Sequence, residues 1–391
     1  MNNQNALKQV SIHPDNPKYE IAISRINSLY ERSTDIRTPF ERDYTRILYS
    51  KAYRRVKHKT QVFFDVDNDH VCTRLEHVTL VQSISETIAK YLGLNVDLVK
   101  AIAIGHDLGH APFGHGGEKI LNHLHQKYNL GTFFHEKNSL YLIDYIETLK
   151  DENDNNQSLN LTYAVRDGII SHCGEVNLPQ IKPREEKIDL KDYQSAGQYA
   201  PYTYEGCVVK MADKVAYLSR DIEDAIALNI LSKENVEKLV HEIRKIWPNI
   251  QNLDNGTLVH YFIIDICENS SIKKGICLSK SAFELMKKLM KFNYEYIYMI
   301  DRLKIFDNYV SLMIQSIFDI LYPLEINDDL SSHLQQYPLL NKYYLNWVND
   351  YKDIVYNYND KKDRIKSILD FISGMTDPFL IRVFNEMISF H

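Results

Sequence analysis

Gly105-His106-Asp107-Leu108-Gly109-His110-Ala111-Pro112-Phe113-Gly114-His115-Gly116-Gly117-Glu118 gathers three histidines, one aspartate, one glutamate and five glycines into fourteen residues. An apolar helical run, Leu98 to Ile104, leads into it. Pro112 has no N–H to donate and is expected to end that helix. A glycine-rich loop then carries the chain to a new helix opening near Glu118. Glycines let backbone come close to a ligand, and polar side chains at a helix end are easily aimed at one point.

The pair His106-Asp107 offers one imidazole nitrogen and one carboxylate, a set suited to a divalent transition metal or Mg²⁺. His110 follows by one helical turn and is placed on the same face. His115 and Glu118 stand three apart, the arrangement of a histidine with a carboxylate that orients it. A histidine-rich helix end without metal is the plainer reading. Five ionisable side chains converging beside an apolar helix argue against it. The stretch holds too few ligands for a closed site, so others must come from elsewhere in the chain.

The 391 residues suffice for one large domain or two small ones, and 44% hydrophobic content supports a core. A net charge of −6 argues against a general polyanion binder but leaves room for a local basic pocket. Five scattered cysteines without a CxxC pair suggest a reducing compartment and no zinc ribbon. The polar start carries no signal-peptide core, and no apolar run approaches the roughly 18 residues of a membrane span. The expectation is a soluble cytoplasmic protein.

With only 14 glycines and 11 prolines, and many apolar runs at helical spacing, the chain reads as almost all-α. Residues 1–36 read as an extension, a mobile start plus one helix from Tyr19 to Arg32, and 37–391 as a single unit. Thr38 before Pro39 reads as a helix N-cap. The run Arg54, Arg55, Lys57, His58 and Lys59 reads by composition as a solvated face or nucleic-acid patch, with a phosphate pocket as the alternative. Residues 73–92 form the clearest helix, with Leu75, Val78, Val81, Ile84, Ile88 and Leu92 on one stripe and Gly93 as C-cap. His77 shares that stripe and points inward. Standing about one helical hairpin before the histidine-rich stretch, it reads as a ligand.

Residues 151–157 read as a loop or hairpin tip, and Gly174 to Tyr204 as a long loop, functional or mobile. Residues 207–229 make a strong helix with an apolar face of Val208, Met211, Val215, Leu218, Ile222 and Ile226. A second stripe holds Asp213, Tyr217, Arg220, Asp221 and Asp224. Such a stripe is ordinarily the wet side, but Asp213 is a candidate for the missing carboxylate. Further helices are expected at 233–246, 256–267, 279–300, 307–322, 337–352 and 361–388.

The order His77, His106-Asp107, Asp213 resembles the H…HD…D pattern of HD-domain metal phosphohydrolases. The segments RTPFERDYTRILYSKAYRRVKHKTQVF, TRLEHVTLV, GHDLGHAPFGHGGE, FFHE, LNLTYAVRDGIISH, VVKMADKVAYLSRDIEDA and DFISGMTDPF narrow the likeness. They resemble the deoxynucleoside triphosphate triphosphohydrolases of the bacterial dGTPase group, from about residue 37 to 385. The resemblance implies an HD helical bundle at about 50–230 with further helices at about 231–391. It implies hydrolysis of a dNTP to deoxynucleoside and intact triphosphate, with one Mn²⁺ or Mg²⁺ ion held by His77, His106, Asp107 and Asp213.

It further implies that His115 and Glu118 act at the α-phosphorus, with His110 as another active-site histidine and His135 in support. Arg74, Lys214, Tyr217 and Asp221 would line triphosphate and sugar, and Gln61 the sugar 3′-hydroxyl. Tyr294 and Tyr298 would contact base and sugar. Arg220 stands where many bacterial members carry a histidine. The basic run Arg54, Arg55, Lys57 and Lys59 becomes a set of phosphate contacts or a second, effector nucleotide site. The family is often hexameric or tetrameric, so a homo-oligomer is expected. The rivals are another HD hydrolase, acting on a cyclic nucleotide or an alarmone, and a single-stranded nucleic-acid binder using residues 54–59.

Overall fold

The computed structural model describes residues 3–29, 34–64, 70–174, 178–248, 250, 253–327 and 333–389. It is built of helices, with strands confined to two short antiparallel pairs, β1 (Thr148–Lys150) with β2 (Asn156–Ser158) and β3 (Gln180–Ile181) with β4 (Ile276–Cys277). The first pair forms a hairpin around 151–157.

The helices that carry the site pack on one another. They are α2 (Pro39–Tyr49), α4 (Arg74–Leu92), α5 (Val96–Gly105), α8 (Tyr163–Ser171) and α9 (Tyr204–Ala227), and a short α3 (Lys51–Val56) follows α2. Their starts are set by side-chain caps. Thr38 and Thr73 each form a capping box, with Glu41 and Glu76 returning the bond. Thr203 accepts from the Gly206 N–H to open α9. Gly93 closes α4 at φ 80°. The α4 stripe of Val78, Val81, Ile84, Ile88 and Leu92 is buried, while Leu75 is half-buried. Val208, Met211, Val215, Leu218 and Ile222 of α9 are buried against it, whereas Ile226, read as part of that face, is 39% exposed.

The N-terminal segment differs from the expectation of a mobile start. Leu7 and Ile12 are buried, and the Glu205 carboxylate accepts from Ser11 Oγ, Ile12 N and Asn95 N. The helix expected to run from Tyr19 to Arg32 is the short α1 (Tyr19–Ile23), ended by extended backbone at Ser24, and the far end of that expectation lies outside the described residues. The 178–203 stretch is pinned rather than loose. Arg184 bonds Asp167, the Tyr163 hydroxyl and Ala200 O, over a satellite core of Phe134, Leu140, Tyr163, Ile170, Leu190, Tyr193 and Tyr202.

α6 (His115–Lys127) and α7 (His135–Tyr141) flank the site. Beyond it come α10 (Lys233–Arg244), α11 (Asn255–Asn269), α12 (Lys280–Asn293), α13 (Asp301–Ile326), α14 (Pro338–Tyr351), α15 (Lys361–Ser373) and α16 (Asp377–Ile388). The helix expected over 279–300 ends at Asn293 in one π turn, Tyr294–Tyr298. The helix expected over 361–388 breaks at Gly374, with Thr376 capping α16. One helix among the described residues, Asp301–Ile326, is long and apolar enough to cross a membrane by length and composition, contrary to the reading of the sequence. Its buried residues Val310, Ile314, Ile317, Phe318 and Leu321 belong to the main core, and it packs on α6, α15 and α16.

Candidate active site

The histidine-rich stretch folds as a turn between two helices. α5 ends at Gly105, seven residues short of Pro112, and α6 opens at His115 rather than near Glu118. The carbonyls freed at the helix end have side-chain partners. His106 Nδ1 donates to Ala103 O at 2.6 Å, and Ser139 Oγ donates to His106 O at 3.0 Å. His106 and His110 therefore do not share one helix face, yet both are buried. Gly109 lies against the start of α7 so closely that a Cβ there would stand 2.0 Å from Ser139 N. Phe113 and Gly114 both adopt positive φ, 58° and 57°, to turn the chain into α6.

This turn delivers His106 and Asp107 to His77 on α4 and Asp213 on α9. His77 Nε2 lies 3.0 Å from Asp213 Oδ1 and 3.9 Å from Asp107 Oδ2. His106 Nε2 lies 3.4 Å from Asp107 Oδ1 and 3.8 Å from Asp213 Oδ1. All four residues are buried. Burial works against charge on both carboxylates. Around Asp107 it is outweighed by His110, His106 and Arg74, and around Asp213 by the hydrogen bond and charge of His77, then His106 and His172. Both carboxyls are held below their ordinary range.

The donor set fits a divalent ion. The His106 Nδ1 bond leaves Nε2 as the lone-pair nitrogen, and that atom is buried with no hydrogen-bond partner. His77, His106 and Asp213 bring one ligand atom each within 4.8 Å of one another, with Asp107 beside His106 at 3.4 Å and His77 at 3.9 Å, a mixed imidazole and carboxylate set that suits a divalent ion.

Beside it, Glu118 Oε2 lies 3.1 Å from His135 Nδ1 and 3.9 Å from His115 Nδ1. The carboxylate expected to orient His115 is thus nearer to His135. The reason is placement: His115 opens α6 with its side chain 84% exposed, while His135 opens α7 inside the protein. His110 stacks on His135 with ring centroids 3.7 Å apart, and its Nδ1 lies 3.1 Å from Asp107 Oδ1. Burial and the Arg74 charge push His110 well below its ordinary value, against the pull of Asp107.

Arg74 is buried, with Nη1 on Asp107 Oδ2 at 2.7 Å and Nη2 on Thr60 O and Gln61 O. Gln61 Oε1 is buried without a hydrogen-bond partner. Along α9, Lys214 is buried over the ring of half-buried Tyr217, its Nζ 5.5 Å from the centroid. Asp221 accepts from the Tyr298 hydroxyl at 2.5 Å. The stripe of α9 read as its wet side is in fact inside at Asp213, Asp221 and Asp224. Tyr294 and Tyr298 are parted by their π turn. Tyr298 reaches Asp221, whereas Tyr294 is 58% exposed and shares no described hydrogen bond or ring contact with the site.

The basic run does not form one patch. Arg54 and Lys57 are exposed, Arg55 pairs with Glu147 at 2.9 Å, and Lys59 is buried with its ammonium on His110 O and Ser373 O. Lys59 is a structural clamp on the histidine-rich turn rather than a surface phosphate contact.

Residues 74–218 match the HD domain family and residues 276–386 the phosphohydrolase-associated domain. A deoxyguanosinetriphosphate triphosphohydrolase-like protein of Clostridium tetani is 33% identical over 385 residues, 97% of this chain and 94% of that protein. One from Caldanaerobacter subterraneus subsp. tengcongensis is 32% identical over 364 residues, 93% and 89% of the two chains. A third, from Desulfatibacillum aliphaticivorans, is 39% identical over 271 residues, 68% and 69% of the two. The chain belongs to the deoxyguanosinetriphosphate triphosphohydrolase-like family. It is an HD-domain phosphohydrolase, of a class that depends on metal.

Three residues at the site were not singled out from the sequence. His172 ends α8, its ring 4.8 Å from that of His106. Cys173 places Sγ 3.4 Å from His135 Nε2. Glu136 is 1% exposed, and neither carboxylate oxygen has a hydrogen-bond partner. The signal for the first was available: His172 closes an apolar helical run, as His106 does.

Proposed function

We propose that this phosphohydrolase cleaves deoxynucleoside triphosphates to deoxynucleoside and inorganic triphosphate, with water attacking the α-phosphorus. The carrying observation is the meeting of His77, His106, Asp107 and Asp213 beside the Glu118–His135 pair. Family membership supports the substrate class, through relatives named for deoxyguanosine triphosphate. Those four residues would hold one divalent ion per chain, Mn²⁺ or Mg²⁺, which would supply positive charge to the phosphates.

The remaining work falls to side chains. Water adds to phosphorus, the bond to the 5′-oxygen breaks, one proton leaves the water and one reaches the 5′-oxygen. His115, with the Glu118 carboxylate 3.9 Å from its Nδ1, takes the first proton. The Glu118–His135 pair, stacked on His110 and with His135 holding its proton at neutral pH, delivers the second. Arg74 fixes Asp107, and with Lys214 it sets a positive field for the triphosphate. Tyr217, Asp221 and Tyr298 bound the sugar, and the unpartnered Gln61 Oε1 is an acceptor for the 3′-hydroxyl. A homo-oligomer, a hexamer or tetramer, and a dNTP effector belong to the same reading. The single-stranded nucleic-acid reading draws no support from Arg54, Arg55, Lys57 and Lys59, which are not gathered together.

The test is incubation of purified protein with each dNTP, singly and mixed, in Mn²⁺ and in Mg²⁺, with products separated by ion exchange. Deoxynucleoside and triphosphate are expected. Release of pyrophosphate or monophosphate, or turnover of cyclic nucleotides or alarmones alone, would refute the proposal.

A further inference from the structure

Behind the Glu118–His135 pair lies a second group of ligating atoms, which shares only His135 with the hydrolysis and engages its other ring nitrogen. One ring nitrogen each of His135 and His172 and the sulfur of Cys173 lie within 4.8 Å of one another. Three features suit them to one ion. His135 Nδ1 faces Glu118 at 3.1 Å, which turns Nε2 toward Cys173 Sγ at 3.4 Å. His172 Nδ1 donates to Ile169 O at 2.7 Å, which makes Nε2 its lone-pair nitrogen. Lys210 Nζ donates to Ser171 O and Cys173 O and fixes the backbone that carries both residues.

The spacing selects the chemistry. A tetrahedral zinc ion with bonds of about 2.0 Å to nitrogen and about 2.3 Å to sulfur needs those atoms roughly 3.5 Å apart. The His135–Cys173 distance already meets that, and His172, within 4.8 Å of both, needs to close by about 1.5 Å at most. Metal-bound histidines usually donate their other N–H to a carboxylate, and Glu118 stands in that position. Glu136, buried with neither oxygen hydrogen-bonded, places Oε2 3.5 Å from His135 Nδ1. Imidazole with thiolate favours a soft or borderline cation and is a poor set for Mg²⁺ or Mn²⁺.

We propose that His135, His172 and Cys173 form a Zn²⁺ site adjoining that of the hydrolytic ion, with His172 Nε2 3.9 Å from Asp107 Oδ1, whose occupation switches the enzyme off. As the metal–sulfur bond forms, the Cys173 thiol releases its proton to solvent, and no oxidation state changes. His135 then holds metal through Nε2 and can no longer exchange protons with Glu118. The binding site stands on geometry alone, whereas its effect on turnover rests on the dNTP hydrolysis proposed above.

Cobalt(II) tests the site directly, because only a thiolate ligand gives a near-ultraviolet sulfur-to-cobalt charge-transfer band. The full chain, stripped of metal and then saturated with Mg²⁺, is titrated with Co²⁺. A saturable band is expected in the wild type and in Cys72→Ser, and no band in Cys173→Ser. In the same Mg²⁺ buffer, Zn²⁺ should inhibit dNTP hydrolysis by the wild type, and Cys173→Ser should raise the half-inhibiting concentration at least ~10-fold. Absence of the band from the wild type, its survival in Cys173→Ser, or equal zinc inhibition of the two proteins would overturn the proposal. Failure of both proteins to hydrolyse any dNTP would instead overturn the hydrolytic reading and leave the cobalt titration to decide the site.

Discussion

Glu118 Oε2 lies 3.1 Å from His135 Nδ1, at the junction of α6 and α7. If the two act as one proton-transfer unit, Glu118→Gln and His135→Gln should each lower kcat by about 10²–10⁴. The double variant should be little worse than either single one, because residues that act together are not additive. Steady-state kinetics of the three variants checks this. A double loss equal to the product of the single losses would mean that the residues act separately.

The same pair makes stability depend on pH. Burial opposes the charge on His135, but Glu136, Cys173 and Glu118 prevail and raise it well above 6.5. Burial likewise opposes charge on Glu118, but His135 prevails and lowers it below 4.5. A raised histidine adds stability in full below its unfolded value of 6.5 and loses it as pH rises toward the folded value. A lowered glutamate adds stability above 4.5 and loses it as pH falls through the folded value. In metal-free protein, the Tm gap between wild type and His135→Gln should therefore be wider at about pH 6 than at about pH 9. Differential scanning calorimetry reads it, and a gap that widens with pH would contradict the pairing.

Asp107 stands within 3.9 Å of four imidazoles, His77, His106, His110 and His172, and pairs with Arg74. Asp107→Ala should lose the bound Mn²⁺ and all measurable turnover. Elemental analysis of dialysed protein checks the first and product chromatography the second. Full metal content in that variant would remove Asp107 from the ligand set.

Asp377, in the phosphohydrolase-associated region, accepts from Phe113 N at 2.8 Å and Thr60 N at 2.7 Å. It thereby ties α16 to both the histidine-rich turn and the strand-like segment beside Arg74. Asn at 377 keeps one acceptor but must turn an amide N–H toward a backbone N–H, which should cost about 1–3 kcal/mol. Asp377→Asn should lower Tm and kcat while leaving metal content intact. Unchanged kcat in folded protein would show that the link serves stability alone.

Much of the site was legible because it depends on residue types set on long helices. His77 on the α4 stripe and Asp213 on α9 follow from helical spacing, and the caps at Thr38 and Thr73 from local chemistry. The end of α5 was not legible, because Ser139, thirty-three residues away from His106, satisfies the freed carbonyl. The burial of Asp221 and Asp224 on a polar stripe depends on what packs over α9, including the Tyr298 hydroxyl. The docking of residues 7–12 rests on Glu205, and the fate of Lys59 on a carbonyl of α15. Each is a partnership between distant residues, invisible to local pattern.

Oxygen-18 water tests the central claim most directly. A dNTP is turned over in labelled water, and the separated products are weighed by mass spectrometry. Attack at the α-phosphorus predicts one labelled oxygen in the triphosphate and none in the deoxynucleoside. Label in the deoxynucleoside 5′-hydroxyl would mean attack at carbon, and label in a monophosphate or pyrophosphate would mean cleavage at another bond. Either result would contradict the account.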